Sequence, residues 1–275
     1  MKSSLSLFII LAINYGCDDV NSGPKKYKNE SVSDTESTDD EILGKKEKIC
    51  QNKSGENIKY LEEEFDETTM TGTGQIELID KGVYKGEIKD GKLHGQGVII
   101  YPNGNKFEAK FDNGNIPDEG KMTYPDGSSY QGEFKEGKKH GKGKETFDNG
   151  DTYEGKYQND KKSEFGKMIC NNGNFYTGKF KKDKLNGDVV LKYANGDVYI
   201  GTFKDNWRSG KGRMIFKNGN EYEGEFADDK YNGKGKITYA NGEKYEGEFK
   251  NGQYHGKGKI EYANGDKYEG DLKKG

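Results

Sequence analysis

A 23-residue period is the feature that most constrains this chain. The aromatic residue that opens an aromatic-x-Gly triplet recurs at this interval eight times in succession: Tyr84, Phe107, Tyr130, Tyr153, Tyr176, Tyr199, Tyr222, Tyr245 and Tyr268. A second column, mostly Phe, follows four places after each opener, and a third, mostly Tyr or Phe, follows seventeen places after it. A period held in fixed register over so many units predicts a repeat architecture in which each unit packs on its neighbours.

Composition decides which kind of repeat this is. The 275 residues include 41 Gly, 19 Tyr and 13 Phe but only 4 Pro. Glycine costs about 1 kcal/mol at each interior helix position, so a helical repeat is disfavoured. Aliphatic residues are too few to fill one large core in a chain of this length. A thin, periodic β architecture is therefore predicted.

Each unit has the pattern of a β-hairpin. Residues 245–249 and 258–262 alternate inward and outward with the period of two typical of strands. Residues 250–253 form the turn between them, and Asn264-Gly265 is a strong signal for the tight turn into the next unit. Glycines within the strands are predicted to leave space for neighbouring aromatic rings, among them Gly247, Gly256 and Gly258.

Residues 245–267 resemble a MORN repeat (membrane occupation and recognition nexus) almost position for position. The resemblance covers residues 84–275, and residues 58–83 form a degenerate first repeat or cap. It implies an all-β fold, an elongated single-layer antiparallel sheet of 23-residue hairpins wound as a solenoid. Four substitutions of repeat glycines make the segment from 107 to 189 the least regular: Ala109, Asp118, Glu164 and Val189.

The N-terminus is a different kind of sequence. The apolar run at residues 5–13 is too short for a membrane span, which needs about 20 residues, and it suits a signal peptide over 1–16. Cys17 follows Gly16 as in a bacterial lipoprotein signal, although Asn14 replaces the Leu preferred there. That resemblance implies a lipidated Cys17. Ordinary secretion with an incidental cysteine, or an uncleaved anchor, is also open.

Residues 17–57 are predicted to form an acidic disordered tether. Residues 18–70 carry 15 acidic and 8 basic side chains and offer little apolar surface to bury. Such a segment stays solvated and extends by self-repulsion.

No catalytic or metal site is predicted. The histidines His94, His140 and His255 share one register and lie two or more repeats apart, too far to hold one metal. No phosphate-binding loop spacing is present, and Cys170 occupies an aromatic core column. We therefore expect neither an enzyme nor a cofactor.

Charge is nearly balanced in the repeats, with 36 basic and 33 acidic side chains in residues 71–275. A basic column on the second strands faces acidic residues on the first strands, so mutual neutralisation is expected and nucleic-acid binding is not. MORN repeats have been proposed to bind acidic phospholipids, and the candidate headgroup patch comprises Lys135, Lys138, Lys139, Lys142 and Lys144.

The aromatic face suggests a protein partner. A single sheet has no second layer over its apolar side, so the rings cover one another or a partner covers them. The candidate partner-binding residues are Trp207, Tyr222, Tyr245 and Tyr268. Pairing of a second copy on an edge or face, giving a homodimer, is also open.

The sequence therefore predicts a non-enzymatic repeat scaffold for protein–protein interaction, exported and lipid-anchored at the bacterial cell envelope. Three alternatives are open: a module that associates with membranes through acidic phospholipids, an accessory array for a separate enzyme, and a secreted or periplasmic protein without the anchor.

Overall fold

A computed structural model describes residues 47–78 and 81–272. These residues form antiparallel strands joined by turns, with no helix among them, which confirms the predicted all-β hairpin fold. Their contacts divide them into an N-terminal unit, residues 47–148, and a C-terminal unit, residues 149–272. The predicted signal peptide 1–16, Cys17 and the tether as far as residue 46 lie outside the described residues.

In the N-terminal unit each strand pairs with the next along the chain. The strands are β1 (Glu47–Gln51), β2 (Asn57–Asp66), β3 (Thr71–Leu78), β4 (Gly82–Lys89), β5 (Lys92–Ile100), β6 (Lys106–Phe111), β7 (Glu119–Thr123), β8 (Ser129–Lys135) and β9 (Lys138–Thr146). Strand β1 lies inside the segment 17–57 assigned to the tether. Its side chains alternate between exposed and half-buried, and Cys50 pairs in register with buried Ile58, so this part of the segment belongs to the sheet.

In the C-terminal unit the same order holds, and each strand is antiparallel to its successor. The strands are β10 (Thr152–Gln158), β11 (Lys161–Ile169), β12 (Phe175–Lys181), β13 (Lys184–Lys192), β14 (Val198–Lys204), β15 (Trp207–Ile215), β16 (Glu221–Ala227), β17 (Lys230–Thr238), β18 (Lys244–Lys250), β19 (Gln253–Glu261) and β20 (Lys267–Leu272).

The Asn-Gly turns join successive repeats as well as successive strands. In one of them Gly196 has a φ of +97°, a conformation that suits glycine, and Asn195 Oδ1 accepts the Asp197 N–H at 2.9 Å. Asp197 Oδ1 in turn accepts the N–H of Lys217, in the next such turn, at 2.8 Å. The turn residues thus satisfy backbone donors of the following repeat and fix the stacking.

The core is a row of aromatic rings on the inner face of each unit. Tyr222 packs edge-to-face on Phe226 of its own repeat and on Phe249 of the next, at centroid distances of 5.1 and 5.2 Å. Its hydroxyl donates to the Glu225 carbonyl at 2.7 Å. Repetition of this contact gives a single sheet a core without a second layer.

The strand glycines have two different roles. A Cβ at Gly258 would lie 2.5 Å from the Tyr245 ring, so this glycine makes room for the ring, as predicted. Gly256 does not. It has a φ of +59°, and a Cβ there would meet the Glu248 carboxylate at 2.5 Å, so it serves the bend in the strand and the seat of that carboxylate.

The irregularity predicted for 107–189 is concentrated in β6 and β7. These strands pair in register over only three residues, and the second strand starts after Pro117, which has no N–H to donate to a ladder. Farther along, Val189 is fully buried in a regular strand, so this glycine replacement fills space in the core.

Candidate binding surface

The inner face is closed by the protein's own side chains. Tyr222 and Tyr245 are buried, because Tyr231 stacks on the first at 3.7 Å and Tyr254 on the second at 3.8 Å. The structure therefore does not offer these two predicted partner-binding residues to a partner. The other two are accessible: Trp207 is 49% exposed and Tyr268 is 41% exposed.

Cations take the same stacking position in other repeats. The Arg208 guanidinium lies 5.6 Å from the Tyr199 ring centre and 5.4 Å from that of Phe226. Its Nε is 3.2 Å from Asp229 Oδ1 and its Nη2 donates to the Asp229 carbonyl at 2.9 Å. Burial raises the pKa of Tyr199, although the nearby guanidinium opposes that rise. Arg208 is thus part of the core, not of a binding surface.

The candidate headgroup patch loses one member in the same way. The Lys139 ammonium lies over the rings of Tyr124 and Tyr130 and forms an ion pair with the largely buried Glu145 carboxylate. It therefore points away from solvent, which corrects its assignment to the patch.

The remaining lysines of that patch are exposed: Lys135, Lys138, Lys142 and Lys144. Lys135 lies opposite Lys138 in the β8–β9 register, while Gln131 occupies the position opposite Lys144. The exposed part of the patch is thus basic, and β8 places no carboxylate directly opposite these two positions.

On the outer face of the C-terminal unit, opposite charges alternate from strand to strand. We call this row the charge ladder; in register order it consists of Arg213, Glu223, Lys236, Glu246, Lys259 and Glu269. The Arg213 guanidinium also binds Glu221 through two hydrogen bonds of 2.5 and 2.8 Å and holds the pKa of that carboxyl below its usual range. The ladder supports the predicted mutual neutralisation.

A groove of about 940 Å³ runs along this face from Ile200 to Lys257. Its floor is the backbone of paired strand glycines such as Gly224 and Gly235, and its walls are lysine, arginine and glutamate side chains. Charged side chains therefore line most of the groove, and the apolar residue Ile200 lies at one end.

On the strands that precede β15, the charge ladder is interrupted. The ladder row is uncharged on β12, β13 and β14, where it consists of Thr177, Val190 and Ile200, and outward apolar side chains flank it on β11 to β15. We call this surface the apolar patch; it consists of Phe165, Ile169, Phe175, Thr177, Val190, Val198, Ile200 and Ile215. Phe165 is 63% exposed, Ile200 45% and Ile169 44%, whereas outward positions of β16 to β19 are mostly charged.

On β12 and β13, in the middle of the apolar patch, the outward charges are mainly positive. Lys192 lies in register between Phe175 and Val198, and Lys179 lies opposite Phe165. Lys167 is on the same face, with its ammonium 5.6 Å from the Phe175 ring centre. Among the outward positions of β12 and β13 in these rows the acidic residue is Asp188, opposite Thr202. The patch thus combines exposed apolar area with lysines on its central strands.

Family comparison accounts for the period. The MORN repeat matches residues 84–106, 119–129, 130–152, 153–175, 176–198, 199–221, 222–244 and 245–267, well over half of the chain. The chain belongs to the MORN-repeat family. The break in the match, at residues 107–118, coincides with the short β6–β7 pairing.

Solved structures share only a distant likeness with this MORN-repeat chain. A mutant TCP10 domain of Danio rerio CPAP is 11% identical, with a TM-score of 0.40 over 82% of this chain and 99% of that one. The TCP domain of Drosophila melanogaster SAS-4 (dCPAP), in complex with a proline-rich motif of Ana2, is 15% identical, with a TM-score of 0.35 over 64% and 90%. No curated protein matches. The proposals below do not rest on these likenesses.

Sequence reasoning missed the apolar patch because it followed the repeat glycines. Within the MORN register, Ile200 takes the position of Glu223 and Glu246, and Phe165 takes that of Lys211 and Lys234. Comparing outward positions between repeats is the signal that finds these residues.

The described residues contain no group of His, Cys, Asp or Glu side chains arranged to hold a metal. Nor do they include a helix of the length and apolar character that a membrane span requires. Cys50 is a free, half-buried thiol whose pKa is raised by burial and by Glu67. Cys170 is buried in the core column, as predicted.

Proposed function

We propose that this MORN-repeat protein is a non-enzymatic scaffold that binds a protein partner through the apolar patch. The interruption of the charge ladder carries the proposal. Phe165 and Ile200 stand exposed on the face where the later repeats place charged side chains. Exposed apolar side chains grouped on one face beside polar ones are typical of a protein-binding site.

The packing of the inner face supports the choice of the outer one. Tyrosines such as Tyr222 are covered within their own sheet, so a partner would have to break core contacts to reach them. A partner on the apolar patch displaces only water, which favours binding because apolar area is removed from solvent.

The scaffold hypothesis is tested on native complexes. Extracts of cells expressing the full chain are separated by size, and the chain is expected in a complex larger than itself. Phe165→Ser/Ile200→Ser should shift it to the size of the free protein, while the matched ladder variant Glu223→Ser/Glu246→Ser should not. Equal migration of all three would contradict the proposal.

We further propose that the protein is exported and held at the cell envelope by a lipid on Cys17. The apolar run at 5–13 followed by Gly16-Cys17 supports this, and the acidic stretch after it gives the reach to hold the repeats away from a membrane. The anchor fixes the location and the array binds the partner.

Anchoring is tested by detergent-phase partitioning of the full chain and of Cys17→Ser in a bacterium that processes lipoproteins. The account expects wild type in the detergent phase with acyl mass on Cys17, and the variant in the aqueous phase. An aqueous wild type without acyl mass would reject the anchor and leave a secreted or periplasmic scaffold.

A second candidate function is binding to acidic phospholipids, favoured by the exposed Lys135 and Lys138, which lie opposite each other. It predicts salt-sensitive binding of Cys17→Ser to anionic vesicles, reduced by Lys135→Glu/Lys138→Glu. Vesicle binding that these substitutions leave unchanged would reject this site. A partner that proves to be an enzyme would make the array its accessory.

A further inference from the structure

We infer that the partner segment on the apolar patch is an amphipathic helix whose apolar stripe is flanked by acidic residues. This inference rests on the proposed scaffold function and specifies the chemistry of its ligand. Size, shape and charge of the patch each contribute to it.

Size favours a helix. The patch crosses five strands, β11 to β15, and four spacings of about 4.8 Å make it about 19 Å long. Its two main rows, one through Phe175 and Val198 and one through Val190 and Ile200, are two residues apart along the strands, or about 7 Å. A helix of about 13 residues spans 19 Å, and its side chains cover both rows.

The surrounding charge favours acidic flanks. Lys179 and Lys192 stand on this face, with Asp188 as the acidic residue in the same rows of β12 and β13, whereas Lys167 lies opposite Glu154 of β10. In β16 to β19, by contrast, the ladder pairs each cation with a carboxylate. Carboxylates beside the helix stripe would complement these lysines, and basic flanks would be repelled.

A lipid surface fits the patch less well than a helix does. Attraction to an anionic leaflet is worth about 1 kcal/mol per basic residue near the surface, and this face offers few lysines. Phe175, Val190 and Val198 are half-buried in the plane of the sheet, so they do not project as an inserting tip does. A shaped apolar ligand reaches them better.

The test uses full-length Cys17→Ser and two fluorescent 18-residue amphipathic peptides with the same Leu stripe, one flanked by Glu and one by Lys. Binding is followed by anisotropy at low salt. The Glu-flanked peptide should bind about tenfold more tightly, and Phe165→Ser/Ile200→Ser should remove that binding. Equal affinity for the two peptides, or no binding of either, would overturn the inference.

Charge reversal gives the matched control. Lys179→Glu/Lys192→Glu should reverse the preference toward the Lys-flanked peptide, whereas Lys234→Glu/Lys236→Glu, in the ladder strand β17, should leave it unchanged. Thermal unfolding confirms that each variant is folded. A preference that both pairs change equally would assign the effect to net charge and overturn the inference.

Two other occupants are outcomes of the same experiment. Anionic phosphatidylglycerol vesicles that bind through Phe165 and Ile200, without peptide binding, would make the patch a membrane site. Self-association in sedimentation that Phe165→Ser/Ile200→Ser abolishes would make it a dimer interface. Either result overturns the inference. A natural partner that docks a basic segment on the patch would also overturn it, but the proposed scaffold function would stand.

Discussion

At the residue scale, the fold depends on a tyrosine ring lying across a glycine. A Cβ at Gly235 would lie 2.6 Å from the Tyr222 hydroxyl oxygen and 2.7 Å from its Cε2, closer than real Cβ contacts come. The opposite case occurs once in a regular strand, where Val189 is buried at the equivalent position. The same register position thus holds a glycine beneath a ring at Gly235 and a buried side chain at Val189.

We predict that exchanging the residue type destabilises the protein at both positions, for opposite reasons. Gly235→Ala should lower the free energy of unfolding by about 1–3 kcal/mol, because the methyl group overpacks a filled site. Val189→Gly should lower it by about 2–4 kcal/mol, because it removes buried apolar volume and adds backbone entropy to the unfolded chain. Denaturant unfolding measures both, and a neutral Gly235→Ala would contradict the ring-over-glycine account.

The buried tyrosines also predict a response to alkaline pH. Burial raises the pKa of Tyr84 to about 12, with a smaller contribution from the Glu87 carboxylate, and burial raises that of Tyr193 to about 12. The folded chain then keeps protons that the unfolded chain loses near pH 10. The contribution of these tyrosines to the free energy of unfolding is fully present below pH 10 and declines as pH rises toward 12.

This decline is measured as the free energy of unfolding against pH, with tyrosinate absorbance followed in parallel. Tyr84→Phe removes one such group, so the free energy of unfolding of this variant should fall less steeply than that of wild type between pH 10 and 12. Identical slopes for the two proteins would show that Tyr84 does not titrate as described.

At the scale of one hairpin, β10–β11 differs from other hairpins in one pair of facing residues. In four other repeats a glutamate on the first strand sits beside a glycine on the second, as Glu248 sits beside Gly256. Here Lys156 takes the glutamate position and Glu164 the glycine position, and their Nζ and Oε2 atoms are 2.6 Å apart. Glu164 also has a φ of +53°, which costs strain that glycine would not have.

This difference predicts that the effects of substitutions at Lys156 and Glu164 on stability are not additive. Lys156→Glu alone should destabilise the protein by about 1 kcal/mol, because it sets two carboxylates together. Adding Glu164→Gly should restore at least wild-type stability by recreating the Glu–Gly arrangement of the other hairpins. A double variant no more stable than Lys156→Glu alone would contradict this account.

The sequence predicted the hairpins well, because a 23-residue period with Asn-Gly turns leaves little choice of strand or register. It misplaced β1, since Ile49 and Cys50 follow a long acidic stretch and match no repeat. It also assigned the wrong accessibility to Tyr222, Tyr245 and Lys139, because stacking across the sheet depends on three-dimensional neighbours. The outer apolar patch was readable in the register, at positions such as Phe165 and Ile200.

At the scale of the whole molecule, the repeat array has two different faces. In the C-terminal unit the inner face is packed with rings, and the outer face alternates in charge from β15 to β20 and carries the apolar patch on β11 to β15. Under the proposed function, a protein anchored through Cys17 would take its specificity from that surface, since the charge ladder beside it is neutralised by its own residues. Experiments at the apolar patch therefore test the proposed function most directly.

Site-specific photocrosslinking in living cells tests it most directly. A crosslinking amino acid is placed at Phe165 or Ile200 in the full chain, and at Glu246 in the charge ladder as control. The account predicts that positions 165 and 200 crosslink to one and the same protein and that position 246 does not. Crosslinks to that protein from all three positions, or no protein crosslinked at 165 and 200, would contradict the central claim.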